Sequence, residues 1–103
     1  MMKIEELNTK ELLEKTGNTT DLTDREKHLI GLAVTTTRGC IACTGRRMKK
    51  AIENEVPYKT LVAAIDLSAA VNAGVTAAIA IQGAQRENLE DCNDGACTIG
   101  VSN

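Results

Sequence analysis

Two cysteines separated by two residues, Cys40 and Cys43, follow directly after Gly39 and open a segment with helical spacing. In the first turn of a helix, cysteines at this spacing lie on one face and can bridge. The unpaired N–H groups and the positive dipole end of a helix N-terminus favour a thiolate over a thiol. The spacing therefore predicts a helix that begins near residue 40 and a dithiol suited to oxidation and reduction.

The composition indicates an all-α fold. The 103 residues include one Tyr and no Phe or Trp, so the core must be built from Ala, Leu, Ile and Val. Side chains of this size suit closely packed helices, and the sequence shows no strand with convincing alternation. We expect the 103 residues to form a single domain whose hydrophobic core is adequate rather than large.

Capping signals, periodicity and helix breakers predict about five helices. Thr23 and Glu26 form a capping box at the start of the second helix, and Gly39 ends it. Pro57 suits the first turn of the fourth helix, which should stop near Gly74. The predicted helices cover about 3–15, 24–38, 40–55, 57–72 and 75–90.

The last two predicted helices are apolar on nearly every side. Such helices must be buried all round, and a 103-residue monomer has too little protein to cover two of them. We therefore expect an obligate homo-oligomer with these helices at the interface; tight packing within one chain is the alternative. A membrane span over 61–84 is not expected, because the segment is rich in Ala and contains Asp66 and Asn72.

Charge and the N-terminal residues limit the partners and the compartment. The net charge of −2 offers no electrostatic case for binding nucleic acid or an anionic membrane. Residues 1–7 have neither the apolar region nor the cleavage site of a signal peptide. We expect a cytoplasmic protein, in which cysteines are more often catalytic or metal-binding than structural. No cofactor is predicted.

One arginine lies at a position related to the dithiol. Cys43, Arg47 and Ala51 recur every four residues and share a stripe that should face inward, whereas Arg46 should lie on a more exposed sector. Arg47 would stabilise the Cys43 thiolate there, although a guanidinium that only reaches solvent also explains it. A buried Arg47 needs an acidic partner, and Asp66 is the best candidate.

His28 is the only histidine and lies on the helix before the dithiol. If the cysteine helix folds back against this helix, a path from Cys43 through Arg47 to His28 is geometrically reasonable. Histidine titrates near neutral pH and can accept the proton of a reacting thiol. A partly exposed surface histidine with no such role is the alternative.

A second cysteine pair, Cys92 and Cys97, encloses an Asp-Gly sequence that is typical of a tight turn. This pair could act as an accessory dithiol that exchanges with Cys40 and Cys43. All four cysteines could instead bind zinc or an iron–sulfur cluster, or the tail could be inert.

With these elements in place, residues 22–74 resemble the carboxymuconolactone decarboxylase and alkylhydroperoxidase D-like family. The matching segments are LTDREKHLIGLAV at 22–34 and GCIAC at 39–43, followed by Ala51 and by LVAA at 61–64. The resemblance implies an all-helical fold that assembles into trimers or hexamers. It also implies one domain over 1–103, with a family-like core at 22–90 and a tail at 91–103.

For the peroxidase branch, the resemblance implies that Cys43 attacks a hydroperoxide, Cys40 resolves the product as a disulfide, and a thiol donor regenerates the pair. That branch has glutamate where this chain has His28 and histidine where it has Arg47. An arginine stays charged, so Arg47 can stabilise an anion but cannot shuttle a proton. The sequence thus predicts a thiol oxidoreductase acting on hydroperoxides or disulfides. A non-catalytic oligomeric scaffold and a four-cysteine metal or cluster protein are the alternatives.

Overall fold

The computed structural model describes residues 1–89, and this part of the chain contains four α-helices, one short 3-10 helix and no strand. The all-α prediction is confirmed for these residues. Residues 90–103, with the predicted accessory pair Cys92 and Cys97, lie outside the described residues. The elements in chain order are the 3-10 helix Ile4–Glu6, α1 (Thr9–Gly17), α2 (Asp24–Thr37), α3 (Ile41–Glu53) and α4 (Tyr58–Arg86).

The chain divides into two compact units, Met1–Asp66 and a second one that begins at Leu67. The core of the first unit is small and wholly aliphatic, as the composition predicts. Leu29, Met48 and Ile65 are partly buried and pack against this core. Its four buried members are Leu32 of α2, Ala51 of α3, Val56 of the loop between α3 and α4, and Leu61 of α4.

The capping box at the start of α2 is confirmed. The Thr23 hydroxyl accepts the Glu26 backbone N–H at 3.1 Å, and the Glu26 carboxylate accepts the Thr23 backbone N–H at 2.8 Å. The bond from the Thr23 backbone, followed by the one from its side chain, lowers the pKa of the Glu26 carboxyl. Local hydrogen bonding therefore sets where α2 begins.

The predicted start of the first helix, at residue 3, is wrong. Leu7 has an extended backbone, which separates the 3-10 helix Ile4–Glu6 from α1. Asn8 then stands at the N-cap of α1, where its backbone carbonyl accepts the Leu12 N–H at 3.0 Å. The helix proper therefore begins at Thr9 and continues to Gly17.

The predicted break at Gly74 is also wrong, because α4 runs from Tyr58 to Arg86 without interruption. A glycine inside a helix costs about 1 kcal/mol relative to alanine, and it ends the helix only where the backbone turns left-handed. Gly39 makes such a turn with φ of 82° after α2, whereas Gly74 does not have a positive φ. The separate fifth helix predicted at 75–90 is consequently not found within residues 1–89.

The described part of the second unit, from Leu67 onward, is the remainder of α4. Its large apolar side chains are more than half exposed, and they are Leu67, Val71, Val75, Ile79 and Ile81. In the described part of the chain, α4 is also the one helix with the length and apolar composition of a membrane span. Length and composition are weak grounds for such a span, since a core helix of a soluble protein can have both.

Candidate active site

Cys40 occupies the N-cap of α3. Gly39 turns the chain with its positive φ, and Cys40 follows with an extended backbone of φ −90° and ψ 100°. The Cys40 backbone N–H donates to the Thr35 carbonyl at 3.0 Å, which ties this turn to the end of α2. The Cys40 Sγ accepts the backbone N–H of Cys43 at 3.2 Å, so a sulfur takes the place of the usual capping oxygen.

A disulfide joins Cys40 and Cys43. The two Cα atoms are 5.3 Å apart, within the ordinary range for a disulfide. When this bond is reduced, a thiolate on Cys40 at its present position keeps the Cys43 N–H and lies at the positive end of the helix dipole. The same turn of helix can thus hold both the oxidised and the reduced pair.

Cys43 lines a surface depression with three cationic side chains, those of Arg46, Arg47 and Lys50. The Arg46 Nη2 atom lies 3.9 Å from the Cys43 Sγ. A guanidinium at this distance favours the thiolate form of a cysteine over the thiol. The Cys43 side of the pair is therefore cationic.

Arg46 was not expected at the site. Arg46 is exposed, as the sequence predicts, but the expectation that it lies on a different sector from Cys43 is wrong, because its guanidinium approaches the Cys43 sulfur. Residues three apart on a helix are as close as residues four apart, so Arg46 and Arg47 were equally within reach of Cys43. Spacing alone could have identified Arg46 as a second candidate.

Arg47 lines the same depression as Cys43, and its guanidinium reaches across to α2. There it lies against Gly31: a Cβ built on Gly31 would be 2.7 Å from Arg47 Cζ and 3.2 Å from Arg47 Nε. The residue as a whole is exposed, so the inward-facing position expected for Arg47 is wrong, and Asp66 on α4 is exposed too. A pairing of Arg47 with Asp66 stays a prediction.

His28 is half-buried on α2, three residues before Gly31. Residues three apart share a helix face, so the Arg47 guanidinium lies one turn from the His28 position on that face. α3 therefore packs against α2 as expected, and the Arg47 guanidinium contacts that helix at Gly31. A proton-transfer role for His28 stays a prediction.

Cys40 faces a different, mainly apolar depression, whose lining includes Thr36, Ile41 and Met48. Near it, the Thr44 hydroxyl of α3 donates to the Thr35 hydroxyl of α2 at 3.2 Å. This bond helps to hold the two helices together beside the disulfide. The pair thus has an apolar side at Cys40 and a cationic side at Cys43.

Metal binding has no support within residues 1–89. This range contains no group of three or more His, Cys, Asp or Glu side chains placed to hold a metal ion. A site formed by four cysteines would need Cys92 and Cys97, which lie beyond the described range.

Comparisons with known proteins identify the family to which the chain belongs. Neither the curated proteins nor the solved structures gave a match. The model of the carboxymuconolactone decarboxylase family, which includes decarboxylases and peroxidase-like redox proteins, matches residues 8–86. This range takes in all four helices and the cysteine pair, and it extends the resemblance seen in residues 22–74. The chain therefore belongs to the carboxymuconolactone decarboxylase family.

Proposed function

We propose that the chain is a thiol-dependent oxidoreductase whose Cys40–Cys43 pair reduces hydroperoxides or exchanges disulfides. The observation that carries this proposal is the N-cap of α3. Cys40 and Cys43 form a disulfide there, and the Cys43 N–H donates to the Cys40 sulfur at 3.2 Å. A dithiol at a helix N-terminus, beside a guanidinium 3.9 Å from Cys43 Sγ, has the electrostatic setting of reactive cysteines.

The peroxidase reaction would run in two steps. The Cys43 thiolate attacks the terminal oxygen of a hydroperoxide, the O–O bond breaks, and the alkoxide leaves as an alcohol after taking a proton. The Cys40 thiolate then attacks the sulfur of the Cys43 sulfenic acid, and hydroxide leaves as water. Two electrons pass from the dithiol to the peroxide, and a thiol donor must reduce the resulting disulfide.

Supporting residues have distinct parts in this proposal. His28, on the stretch of α2 that Arg47 reaches, would accept and return protons in this proposal. Arg47 would contribute positive charge without transferring a proton. Cys92 and Cys97 would pass electrons between the active-site pair and the thiol donor.

We also propose that the working form is a homo-oligomer, a trimer or a hexamer. The exposed apolar side chains of α4 from Leu67 to Ile81 support this proposal. An exposed apolar surface of this kind is typical of a contact surface, and a second copy of the chain offers a matching one.

The function is tested by mapping the state of each cysteine by mass spectrometry. Metal-free, fully reduced protein is treated with a slight excess of an organic hydroperoxide and quenched at short times. Selective formation of the Cys40–Cys43 disulfide with one equivalent of alcohol is the expected result. If all four thiols stay reduced while a small-molecule thiol at the same concentration is oxidised, the peroxidase proposal is wrong.

Two variants assign the roles of the cysteines. With Cys40→Ser, the Cys43 sulfenic acid cannot be resolved by its neighbour, so a sulfenic-acid reagent should label Cys43. With Cys43→Ser, labelling at residue 40 should be slow. Labelling of Cys40 in the second variant, without labelling of Cys43 in the first, would reverse the assignment.

A further inference from the structure

The two sulfurs of the disulfide differ in their surroundings. Cys43 lines the depression with Arg46, Arg47 and Lys50, and that lining contains no carboxylate. Cys40 lines the apolar depression on its other side. A small molecule that reacts at Cys43 therefore meets three cationic side chains, whereas one that reacts at Cys40 does not.

The positive charge is local. The chain as a whole has a net charge of −2. α3 nevertheless carries the sequence RRMKK at 46–50, with Glu53 as its one acidic residue. Clustered charge of one sign raises the local concentration of ligands of the opposite sign and their rate of association. Carboxylates, in particular, are bound well by guanidinium groups.

The hydrogen bond at the N-cap indicates which sulfur leaves when the disulfide is attacked. Cys40 Sγ accepts the Cys43 N–H at 3.2 Å and lies at the helix N-terminus, so a thiolate is stabilised there. A thiolate stabilised in this way is a good leaving group in thiol–disulfide exchange. An anionic thiol is attracted to the Cys43 side by the cationic depression, and Cys40 then leaves as the stabilised thiolate.

We propose that the Cys40–Cys43 disulfide exchanges with an anionic low-molecular-weight thiol, whose carboxylate is bound by Arg46 and Lys50. This inference rests on the proposed function and names the class of its thiol donor. The thiolate of the donor attacks Cys43 Sγ, a mixed disulfide forms at Cys43, and Cys40 leaves as a thiolate. A second donor thiolate attacks the donor sulfur of the mixed disulfide and releases Cys43. Two donor thiols thus give one donor disulfide and the reduced pair, with two electrons and two protons transferred.

The test compares three small thiols that differ in charge: 3-mercaptopropionate, 2-mercaptoethanol and cysteamine. The oxidised full-length protein is mixed with each thiol, and peptide-resolved mass spectrometry follows loss of the Cys40–Cys43 disulfide. Each rate is calculated per thiolate and divided by the rate at which the same thiol reduces bis(2-hydroxyethyl) disulfide, which removes differences in intrinsic reactivity. At low salt, the anionic thiol should be about tenfold or more faster than the cationic one, and about 1 M salt should largely remove the difference.

Matched variants distinguish a carboxylate-binding site at Arg46 and Lys50 from a non-specific electrostatic attraction by all the positive charges of α3. Arg46→Gln and Lys50→Gln should each lower the preference several-fold. Lys49→Gln removes the same charge from an exposed position of α3 that does not line the depression, and it should keep the preference. All three positions are exposed, so the fold should survive, and circular dichroism checks this.

The outcomes distinguish two kinds of failure. If all three thiols reduce the disulfide at equal corrected rates, the inference is wrong while the redox function stands. An equal loss of preference in all three variants would also overturn it, because a diffuse field rather than a site would then act. If no thiol reduces the disulfide although each reduces the small-molecule disulfide, the proposed function fails, and the inference fails with it.

Discussion

The guanidinium of Arg47 lies against Gly31, so close that a Cβ on residue 31 would stand 2.7 Å from Arg47 Cζ. The missing side chain at residue 31 gives the arginine a place on α2, one helical turn from the position of His28. This contact links the helix that carries Cys43 to the helix that carries the single histidine. The position of the Arg47 guanidinium therefore depends on the absence of a side chain at Gly31.

Replacing Gly31 with alanine should reveal this contact. Alanine is favoured over glycine in a helix interior by about 1 kcal/mol, but the new methyl group would displace the Arg47 guanidinium. Gly31→Ala should therefore raise the free energy of unfolding by about 1 kcal/mol in an Arg47→Ala background and by clearly less in the natural one. Urea unfolding of the four proteins in this cycle measures the difference. Equal gains in both backgrounds would show that Arg47 does not occupy the surface of Gly31.

The capping box should make stability depend on pH. Hydrogen bonds from Thr23 lower the pKa of Glu26 from its ordinary value of 4.5. A carboxyl whose pKa is lower in the folded state contributes stability above its unfolded pKa and loses that contribution as the pH falls through the folded pKa. The natural protein should thus be more stable than Glu26→Gln at pH 7, and the difference should shrink below about pH 4.5.

Urea unfolding of both proteins at pH 7 and at pH 3 tests this dependence. Glu14→Gln is a suitable control, because it removes an exposed carboxylate from α1 rather than from a capping box. A difference between the natural protein and Glu26→Gln that is the same at both pH values would contradict the prediction.

The small core should be sensitive to a single truncation. Leu61 is 1% exposed and packs with Leu32, Ala51 and Val56. Truncation of a buried leucine to alanine typically costs about 2–5 kcal/mol, a large part of the stability of a small domain. We expect Leu61→Ala to unfold at much lower urea concentration than the natural protein. A shift as small as that of an exposed alanine substitution, such as Lys59→Ala, would show that Leu61 is not in the core.

The apolar face of α4 should hold copies of the chain together. Light scattering after size exclusion should give a mass that is a multiple of 11.0 kDa. Ile79→Glu places a charge on this face and should lower the mass, whereas Lys59→Glu introduces a carboxylate at an exposed position in the first turn of α4, before this face begins, and should not. A natural protein that elutes at 11.0 kDa would contradict the oligomer, and so would one that requires detergent and binds lipid vesicles.

Local features of the structure could be predicted from sequence because their causes are local. The capping box of Thr23 and Glu26 needs only residues three apart, and the N-cap of α3 at Cys40 follows from the turn at Gly39. The small aliphatic core follows from a composition without Phe or Trp. The helix end predicted at Gly74 is wrong because a glycine permits a helix to end but does not require it, and α4 continues through this residue.

The arrangement of side chains around Cys43 could not be predicted in the same way, because it depends on residues far apart in sequence. Helical spacing places both Arg46 and Arg47 within reach of Cys43, and nothing in the spacing chooses between them. The choice is made by α2: with no side chain at Gly31, the Arg47 guanidinium lies against that helix, and Arg46 is left to approach the Cys43 sulfur at 3.9 Å. The sequence by itself therefore determined the all-α class, the start of α2, the dithiol at the start of α3 and the family, because capping hydrogen bonds and periodicity act over a few residues. Only the tertiary structure decided which cation faces which sulfur, because that depends on where a second helix packs.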